Sequence, residues 1–576
     1  MTIKLRKAEK RWELMQPDNE QVRSISQKFG ISEILATVLV NRGVSTIEDA
    51  QGYLSPGLAT LCNPMLMKDM DKAVNRIAQA IRKCENIGIY GDMDADGSGA
   101  SAILKRFFSD LLYDKVTTYI PNRFKHGYGL HEECIDELIK QGAQIIITVD
   151  VGIGAIKAAA YAKRAGVDLI ITDHHEAPEV LPEAIAVVNP KRKDCPFPFK
   201  SLAGAGVAFY LIIALRKALR DQGYFRLFKE PDIRDYLDIV SLSTVGDLVS
   251  LTGENRKLVK HGIELINTAP STGIKALMDV AGADMVSATD IAFMLAPRIN
   301  AAGRLDTANH ALELLSTNSA PEAGQLAELL DQLNSRRKSL EEHTIIEALR
   351  ILKDNESLWG KKTIVLASNE FHAGTHGIAA SKLVEMFNKP TILIAVDDEK
   401  RIGKGSCRSI KGFDIHTGLA SCSSMLNGFG GHTAAAGLTI DIERIQEFAD
   451  AFEAYAQNEL TDEDMQATIE VDMELKADKV TMQLHRELLA MEPVGMGNRQ
   501  AVFMLSGMIV KERKILKEKH LKLKLCAGGK DIDAIGFNLA DFGAHDVVDV
   551  VFNLDVNEWR GNRNIQLKLK DIRRAH

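Results

Sequence analysis

The chain has 576 residues, of which 45% are hydrophobic and 26% charged, a balance typical of folded globular proteins and not of disordered chains. This length predicts about three to five domains. No run reaches the roughly 18 apolar residues of a membrane span, the first residues lack the apolar segment of a signal peptide, and a net charge of −7 argues against a uniformly basic nucleic-acid coat. Seven scattered cysteines without a CxxC pair suit a reducing compartment. We therefore expect a cytoplasmic protein with no membrane segment.

The first part of the chain predicts a doubly wound α/β domain. Residues 1–69 form a polar, mostly helical lead-in, and short apolar strands then alternate with helices. The predicted strands are 87–90, 116–120, 145–149 and 168–172, and the predicted helices are 72–84, 98–112, 131–141, 156–165, 205–219 and 233–245. Such alternation is typical of a parallel sheet covered on both faces, in which ligands bind beyond the carboxyl ends of the strands.

The pattern changes twice further along the chain. Residues 325–359 contain neither Gly nor Pro and predict a long amphipathic connector helix. A smaller α/β unit follows, with strands 363–367 and 391–396 around helix 377–387. The last hundred residues predict a small β-barrel such as an OB-fold, from the runs 502–505, 508–511, 519–526, 532–536, 550–554 and 565–569. The predicted domains are a lead-in (1–69), an α/β domain (70–320), a connector helix (321–360), a smaller α/β domain (361–458) and a β-barrel (459–576).

Charge is concentrated in two blocks. Residues 441–476 carry twelve acids against two basic residues, and residues 506–530 carry eight Lys or Arg against two acids. A chain with such blocks can hold a polyanion in one place and repel it in another.

Acidic and histidine residues follow the predicted strands. The run Asp92-Met93-Asp94-Ala95-Asp96 follows the first strand, Asp150 follows the third, Asp173-His174-His175 follow the fourth, and Asp247 follows an apolar helical run. Because parallel strands end at one edge of a sheet, these side chains should converge. Taken singly, the acidic run could cap a helix, Asp150 could cap the next helix, and the two histidines could be a satisfied structural pair.

So many carboxylates in one crevice would be strongly unfavourable without counter-charge. Divalent cations would supply it, and carboxylates with a minority of imidazoles favour Mn²⁺ or Mg²⁺ over zinc. Two such ions, about 3.5–4 Å apart, would form a phosphoryl-transfer site. The sequence therefore predicts a two-metal phosphoesterase.

Three further runs have the residue types of phosphate-binding sites, namely 297–304, 404–409 and 430–437. Arginine can direct two donors onto one phosphate, and glycines let backbone N–H groups approach it. A Gly-Gly-His run is also typical of a tight turn, so this signal is weak in isolation.

Together these motifs resemble the DHH phosphoesterase superfamily and, more narrowly, the RecJ family of single-strand-specific 5′→3′ DNA exonucleases. The acidic and histidine runs resemble the four DHH motifs. The runs 121–124, 127–130, 201–208 and 298–304 resemble RecJ, 430–438 resembles the DHHA1 substrate domain, and 493–498 and 519–522 resemble the RecJ OB domain. The resemblance covers about residues 70–570.

The resemblance implies roles for individual residues. Two Mn²⁺ or Mg²⁺ ions would be bound by Asp94, Asp96, Asp150, His174 and Asp247. Three more residues would act in catalysis, either as further ligands or by supporting the ligands: His175, Asp173 and Asp92. Substrate phosphates in the cleft between the DHH and DHHA1 domains would contact Arg123, Arg298, Asn300, Arg304, Ser406, Arg408 and His432. Cys407 replaces a usual glycine, and we expect its thiol to narrow the approach of a phosphate.

In the barrel, the residues expected to contact nucleic acid are Lys519, Lys522, Trp559 and Arg560. The barrel phenylalanines Phe537, Phe542 and Phe552 could be either core residues or stacking platforms.

The activity implied is hydrolysis of single-stranded DNA from a free 5′ end, releasing mononucleotides in DNA recombination and repair. The protein would be a monomer and would work with a single-strand-binding protein and a helicase. A DHH nanoRNase or cyclic-dinucleotide phosphodiesterase is the main alternative, although these enzymes usually lack the OB domain. A catalytically dead scaffold is disfavoured because no motif acid is lost, and a manganese-dependent pyrophosphatase is disfavoured by length.

Overall fold

The computed structural model of the chain describes residues 10–123, 125–559 and 562–575. The helices are α1 (Asn19–Phe29), α2 (Glu33–Asn41), α3 (Ile47–Leu54), α4 (Met70–Lys83), α5 (Ala95–Asp110), α6 (Glu132–Lys140), α7 (Ile156–Arg164), α8 (Gly204–Asp221), α9 (Leu237–Gly246), α10 (Gly253–Thr268), α11 (Thr272–Ala281), α12 (Ala288–Asp290), α13 (Ala296–Leu305), α14 (Asn309–Ser316), α15 (Ala320–Asp354), α16 (His376–Phe387), α17 (Ile415–Ser421), α18 (Ile445–Glu459) and α19 (Met482–Leu488). The strands are β1 (Arg11–Leu14), β2 (Ile87–Gly91), β3 (Val116–Tyr119), β4 (Ile145–Val149), β5 (Asp168–Thr172), β6 (Ala186–Val188), β7 (Ile364–Ser368), β8 (Thr391–Asp397), β9 (Ile402–Arg408), β10 (Gly428–Gly431), β11 (Ala435–Asp441), β12 (Thr468–Val471), β13 (Met473–Glu474), β14 (Phe503–Leu516), β15 (His520–Ala527), β16 (Lys530–Gly536), β17 (Val547–Trp559) and β18 (Asn562–Arg574).

The chain divides into two compact units. The large unit comprises residues 15–334 and 472–576, and the small unit comprises the described residues before 15 together with 335–471. The five-domain division drawn from the sequence stays a prediction. Within the residues that the structure describes, no helix is long and apolar enough to cross a membrane.

A parallel sheet with the strand order β3-β2-β4-β5-β6 lies in the large unit. Alternate residues of one strand enter two different cores, because successive side chains point to opposite faces. Ile145 and Ile147 pack with residues of α4, α5 and α8, whereas Ile146 packs with residues of α6 and α7. Helices therefore cover both faces, which confirms the predicted doubly wound α/β fold and brings the carboxyl ends of β2, β4 and β5 side by side.

The helix predictions in this unit are correct to within a few residues. Helix α9 ends just before Asp247, as the apolar run predicted. Residues 291–295 form one π-helical turn immediately before α13, a distortion that is frequent near functional sites. The long connector is α15, which begins five residues before the predicted start.

The small unit is built on a second sheet, in the order β10-β11-β9-β8-β7. Only its β7–β8 pair is parallel among the strands described. Helix α16 lies between β7 and β8 in sequence, as predicted. The prediction of a mostly helical start is wrong for Arg11–Leu14, which form strand β1 and pair in parallel with β12. Strand β1 has only four residues and its partner β12 lies far along the chain. The local sequence therefore gives no signal for a strand there.

The C-terminal part of the large unit is a closed barrel, as the OB-fold prediction required. Its strands pair in the order β14-β15-β16-β18-β17, and β17 returns to pair with β14. One detail is corrected: the runs 502–505 and 508–511 are not separate strands but parts of β14. The register of β14 against β17 shifts between Leu505 and Met508, so a bulge, and not a turn, accounts for the break in the pattern.

The N-terminal helices belong to the same core as the barrel. Val22 of α1 and Leu35 of α2 are in one apolar cluster with Phe503 of β14. Arg42 also pairs with Asp472 at 2.6 Å, with side-chain exposures of 5% and 0%. Residues 19–54 are therefore packed against the barrel.

Candidate active site

The predicted metal ligands converge at the carboxyl ends of β2, β4 and β5. Three groups of residues place one ligand atom each within 4.8 Å of one another. The groups are Asp92, Asp94 and Asp150; Asp96, His174 and Asp247; and Asp150, His174 and His175. The third group shares Asp150 with the first group and His174 with the second. The first two groups are therefore adjacent sites in one crevice.

Asp94 and Asp96 are fixed by the ends of two helices. Asp94 Oδ1 accepts hydrogen bonds from Asp96 N at 2.9 Å and Gly97 N at 3.0 Å, capping α5. The helix-capping interpretation is therefore correct for Asp94, which nonetheless remains in a ligand group. The fully buried Asp96 carboxylate accepts from Gly204 N at 2.6 Å and Ala205 N at 2.8 Å. These donors open α8, where the helix dipole favours a negative charge.

Among the residues that the structure describes, none makes a hydrogen bond with Asp150 Oδ1 that would explain its position. It does not cap α7, whose first turn lacks a side-chain cap. Its backbone φ is 63°, a conformation that costs free energy for a residue with a side chain and is concentrated at functional sites. Its Oδ1 lies 3.0 Å from His174 Nε2. Neither atom is oriented to hydrogen-bond any group in the described residues.

The buried carboxylates of the crevice favour the binding of cations. Burial is the largest influence that raises the pKa of Asp92, Asp150 and Asp247, and neighbouring carboxylates raise it further. Burial and a neighbouring carboxylate also raise the pKa of Asp96 to about 7. Burial lowers the pKa of His174 to about 3, leaving the neutral imidazole that metal binding requires. Unpaired oxygens and a neutral imidazole nitrogen in one crevice fit Mn²⁺ or Mg²⁺.

Asp173 supports His175 and does not belong to any of the three ligand groups. Its Oδ1 accepts from the ring Nδ1 of His175 at 2.7 Å and from two backbone N–H groups, and its Oδ2 accepts from Ile153 N at 2.8 Å. Burial alone would raise the pKa of Asp173, but the hydrogen bonds from His175 outweigh it and lower that pKa. The same contact raises the pKa of His175 against the opposing effect of burial.

Two residues at this site were missed. Tyr128 Oη lies 2.8 Å from His175 Nε2, and the buried Asn189 donates from Nδ2 to the His175 carbonyl at 2.9 Å. Tyr128 is in the run 127–130 that resembles RecJ, where a tyrosine between two glycines was the available signal. Nothing in the local sequence marks Asn189.

The residues of the large unit that are expected to contact substrate phosphates have different surroundings. Asn300 Oδ1 accepts from Ala95 N at 2.8 Å, which ties α13 to the acidic run. Arg298 forms an ion pair with Asp331 at 2.7 Å. Arg304 is half-buried and Arg123 is exposed. Phosphate binding by these residues stays a prediction.

In the small unit, Ser406 and Arg408 lie on the same face of β9. Arg408 Nη1 donates to Ser406 Oγ at 3.1 Å, and both side chains would contact a Cβ placed on Gly377, in the first turn of α16. The exposed His432 lies in the β10–β11 connection. The expected narrowing by Cys407 is wrong, because its side chain points to the opposite face and is buried in the apolar core of the unit. That burial raises the pKa of the thiol to about 12.

The barrel presents a basic surface that includes the exposed aromatic ring of Phe537. Lys519 is exposed and Lys522 is half-buried, while Phe537 is 49% exposed. The ammonium of Lys568 lies 5.7 Å from the Phe537 ring centroid. Phe552 is a core residue and Phe542 packs partly against the core. Two predicted contacts, the Trp559 side chain and Arg560, lie outside the part of the chain that the structure describes.

Three family models match the chain in sequence order. The DHH family N-terminal domain matches residues 86–244, the DHHA1 domain matches residues 360–458, and the RecJ OB domain matches residues 471–571. These matches agree with the order of the sheets and the barrel.

Relatives match over nearly the whole chain. The Bacillus subtilis (strain 168) single-stranded-DNA-specific exonuclease RecJ is 37% identical over 569 residues, covering 97% of this chain and 70% of the relative. The Escherichia coli K12 protein of the same name is 35% identical, covering 94% of this chain and 95% of the relative. A crystal structure of Thermus thermophilus RecJ with Mn²⁺ superposes with a TM-score of 0.84 at 30% identity, covering 98% of this chain and 80% of that one. A second, with Mg²⁺, has a TM-score of 0.78 at 29% identity over 98% and 79%. This chain therefore belongs to the RecJ family.

Proposed function

We propose that the protein is a metal-dependent exonuclease that hydrolyses single-stranded DNA from the 5′ end and releases 5′-mononucleotides. The observation that carries this proposal is the pair of adjacent ligand groups in one crevice, Asp92–Asp94–Asp150 and Asp96–His174–Asp247. The Bacillus subtilis and Escherichia coli relatives are single-stranded-DNA-specific exonucleases, which supports single-stranded DNA as the substrate. The crystal structures of Thermus thermophilus RecJ with Mn²⁺ and Mg²⁺ support these ions as cofactors.

In this proposal each of these two adjacent groups would hold one cation. The two bound cations would supply an activated water nucleophile and neutralise the charge that develops on the phosphoryl oxygens. The chain's own residues keep the ligands in place: α8 fixes Asp96 through two N–H donors, and Asp94 is fixed by capping α5. Rigid ligands of this kind reduce the reorganisation needed during the reaction.

His175 is the group that we propose orients the attacking water. Its Nδ1 is held by Asp173 at 2.7 Å and its Nε2 lies 2.8 Å from Tyr128 Oη, so His175 would act on the water by way of the Tyr128 hydroxyl. Asp173 then acts through His175 and not on the substrate. Asp92 acts as a metal ligand beside Asp94 and Asp150.

Basic and polar residues are proposed as phosphate contacts within each unit. In the small unit, Ser406, Arg408 and His432 are the proposed contacts, and the nearby first turn of α16 is suited to an anion. In the large unit the proposed contacts are Arg123, Arg298, Asn300 and Arg304. Arg298 would have to exchange Asp331 for phosphate, since the two are paired here.

The barrel would bind the strand beyond the cleaved nucleotide. The proposed contacts are Lys519, Lys522, Trp559 and Arg560, and the exposed Phe537 offers a ring for base stacking. Aromatic stacking with backbone charge is how such barrels hold single strands.

A digestion time course tests the proposal. The purified protein with Mn²⁺ or Mg²⁺ is given a single-stranded DNA of about 40 nucleotides, on the order of a few barrel site sizes. Immediate release of labelled mononucleotide from a 5′-labelled strand, with a shortening ladder from a 3′-labelled strand, is the expected result. Asp150→Ala should abolish turnover, whereas Asp284→Ala, at an exposed carboxylate, should not change it.

Survival of the long strand, with cleavage of di- to tetranucleotides or cyclic dinucleotides, would overturn the proposal in favour of a nanoRNase or cyclic-dinucleotide phosphodiesterase. Activity that survives both EDTA and Asp150→Ala would overturn the metal assignment.

We also propose a wider role in DNA recombination and repair, as a cytoplasmic monomer that works with a single-strand-binding protein and a helicase. The family resemblance supports these partners, and the seven free cysteines suit a reducing compartment. Light scattering of the purified protein tests the monomer, and acceleration of digestion on strands coated with single-strand-binding protein tests the partnership.

A further inference from the structure

Tyr128, His175 and Asp173 form a continuous hydrogen-bonded series at the edge of the metal crevice. Tyr128 Oη lies 2.8 Å from His175 Nε2, and His175 Nδ1 lies 2.7 Å from Asp173 Oδ1. The tyrosine and histidine rings meet edge to face, with centroids 5.9 Å apart. Both nitrogens of the imidazole are therefore held, one from inside the protein and one from its surface.

The loop that carries Tyr128 is built to hold it there. Gly127 and Gly129, on either side, have φ of 80° and 112°, conformations that glycine adopts without strain. The buried Tyr90 donates from its hydroxyl to the Gly129 carbonyl at 2.8 Å, which fastens the loop to strand β2. The Tyr128 side chain is 58% exposed, so packing alone does not fix its position.

The donors and acceptors of Asp173 and His175 determine whether the Tyr128 hydroxyl donates or accepts its hydrogen bond. A carboxylate only accepts hydrogen bonds, so His175 Nδ1 must donate to Asp173. In the neutral ring Nε2 then accepts from the Tyr128 O–H, and in the charged ring Nε2 donates to the phenolic oxygen. In both states the contacts at Nδ1 and Nε2 together prevent the ring from rotating.

We propose that Tyr128 is a positioning residue that fixes the orientation of the His175 imidazole for the chemical step. The inference rests on the proposed function, in which His175 orients the attacking water. A phenolic oxygen that donates to Nε2 keeps acceptor capacity for a water, so Tyr128 can hold the ring without isolating it from the reacting groups.

The Tyr128→Phe variant tests this role, because it removes the hydroxyl and keeps the ring. We expect kcat on 5′-labelled single-stranded DNA to fall about three- to tenfold, the usual worth of one hydrogen bond, with KM unchanged. Tyr224→Phe is the matched control, since its hydroxyl also makes one hydrogen bond, to the Leu111 carbonyl at 2.8 Å. It should leave kcat and KM at their wild-type values. Tyr128→Ala removes the ring as well and should reproduce the loss of kcat.

A wild-type kcat in Tyr128→Phe would overturn the proposal. So would an increase of KM alone in Tyr128→Ala, because that result would make Tyr128 a substrate contact. A second readout is the ¹⁵N shift of the His175 ring in histidine-labelled protein, which should change in Tyr128→Phe and not in Tyr224→Phe; an unchanged shift would also refute the contact. If the wild-type protein itself does not digest single-stranded DNA, the proposed function fails, and the ¹⁵N shift still decides whether Tyr128 holds the imidazole.

Discussion

Replacing Gly204 by alanine should disable the metal crevice without unfolding the protein. Gly204 is the first residue of α8, and a Cβ there would stand 2.6 Å from both Cβ and Oδ1 of Asp150. Ordinary contacts between such atoms begin near 3.4 Å, so Asp150 or the helix must move by roughly 1 Å. Because Asp150 has a ligand atom in two groups and Gly204 N binds Asp96, either movement displaces a ligand. A misplacement of about 1 Å can lower a rate by about a hundredfold.

The assay is kcat on 5′-labelled single-stranded DNA, with Mn²⁺ affinity measured by calorimetry. We expect Gly204→Ala to lower kcat about a hundredfold and to weaken Mn²⁺ binding, while local overpacking costs about 1–3 kcal/mol of stability. Gly206→Ala, two residues along the same buried helix, is the control, because the atoms nearest to its Cβ would belong to the Leu202 side chain, at 3.3 Å or more. Wild-type kcat and Mn²⁺ affinity in Gly204→Ala would refute the argument that this glycine makes room for Asp150.

Three further predictions concern stability and DNA binding. Burial and a neighbouring carboxylate raise the pKa of Asp96 from 3.8 to about 7, so between these values the metal-free folded state retains a proton that the unfolded state has released. We expect the Tm of EDTA-treated protein, measured by differential scanning fluorimetry, to fall as pH rises from about 4 to about 7, and Mn²⁺ to restore it most near pH 7. Phe537→Ala should raise KM for single-stranded DNA about tenfold through lost stacking, measured by steady-state digestion. Arg256→Ala should cost about 3–5 kcal/mol in urea unfolding, because the buried guanidinium lies 3.8 Å from the Tyr53 ring and its Nη atoms donate to the Met491 and Ala490 carbonyls at 2.8 and 2.9 Å.

Each of these has a contradicting outcome. A Tm of the metal-free protein that rises steadily from pH 4 to 7 would refute the buried-carboxylate argument. Phe228→Ala, at an exposed ring on the α/β part of the large unit, should leave KM unchanged; an equal rise in both variants would remove the stacking role. Arg234→Ala, at an exposed arginine paired with its neighbour Asp232, should leave the urea midpoint unchanged, and a similar midpoint for Arg256→Ala would show that its network contributes little.

The parts of the structure with strong local signals were predictable. Strand β4 is four apolar residues and one threonine followed by an aspartate, and such patterns locate the strands, their order and the edge where ligands collect. The convergence of the acidic residues and His174 follows from that topology. The direction of the Cys407 side chain could also have been predicted. Successive side chains along a strand alternate between the two faces of the sheet, which puts Ser406 and Arg408 on one face and Cys407 on the other.

What depends on distant partners was not predictable. The residue types of Asp173 and Asp150 are the same, yet one is saturated by protein donors and the other keeps an unpaired oxygen. The contact of Tyr128 with His175 depends on how a loop returns to the sheet edge. No period or spacing in the sequence reports that Arg42 will meet Asp472.

The shared core of α1–α3 and the barrel has a consequence for synthesis of the chain. The apolar side chains of Val22, Leu35 and their neighbours are made early, but the barrel strands that cover them are made several hundred residues later. At about 5–20 residues per second, the gap is on the order of half a minute to a minute and a half. During that time the nascent chain carries an uncovered apolar helical surface, which is the kind of surface that chaperones bind. Completion of the large unit therefore waits for the barrel strands, and a nascent chain that stalls before them keeps the apolar surface of its first helices uncovered.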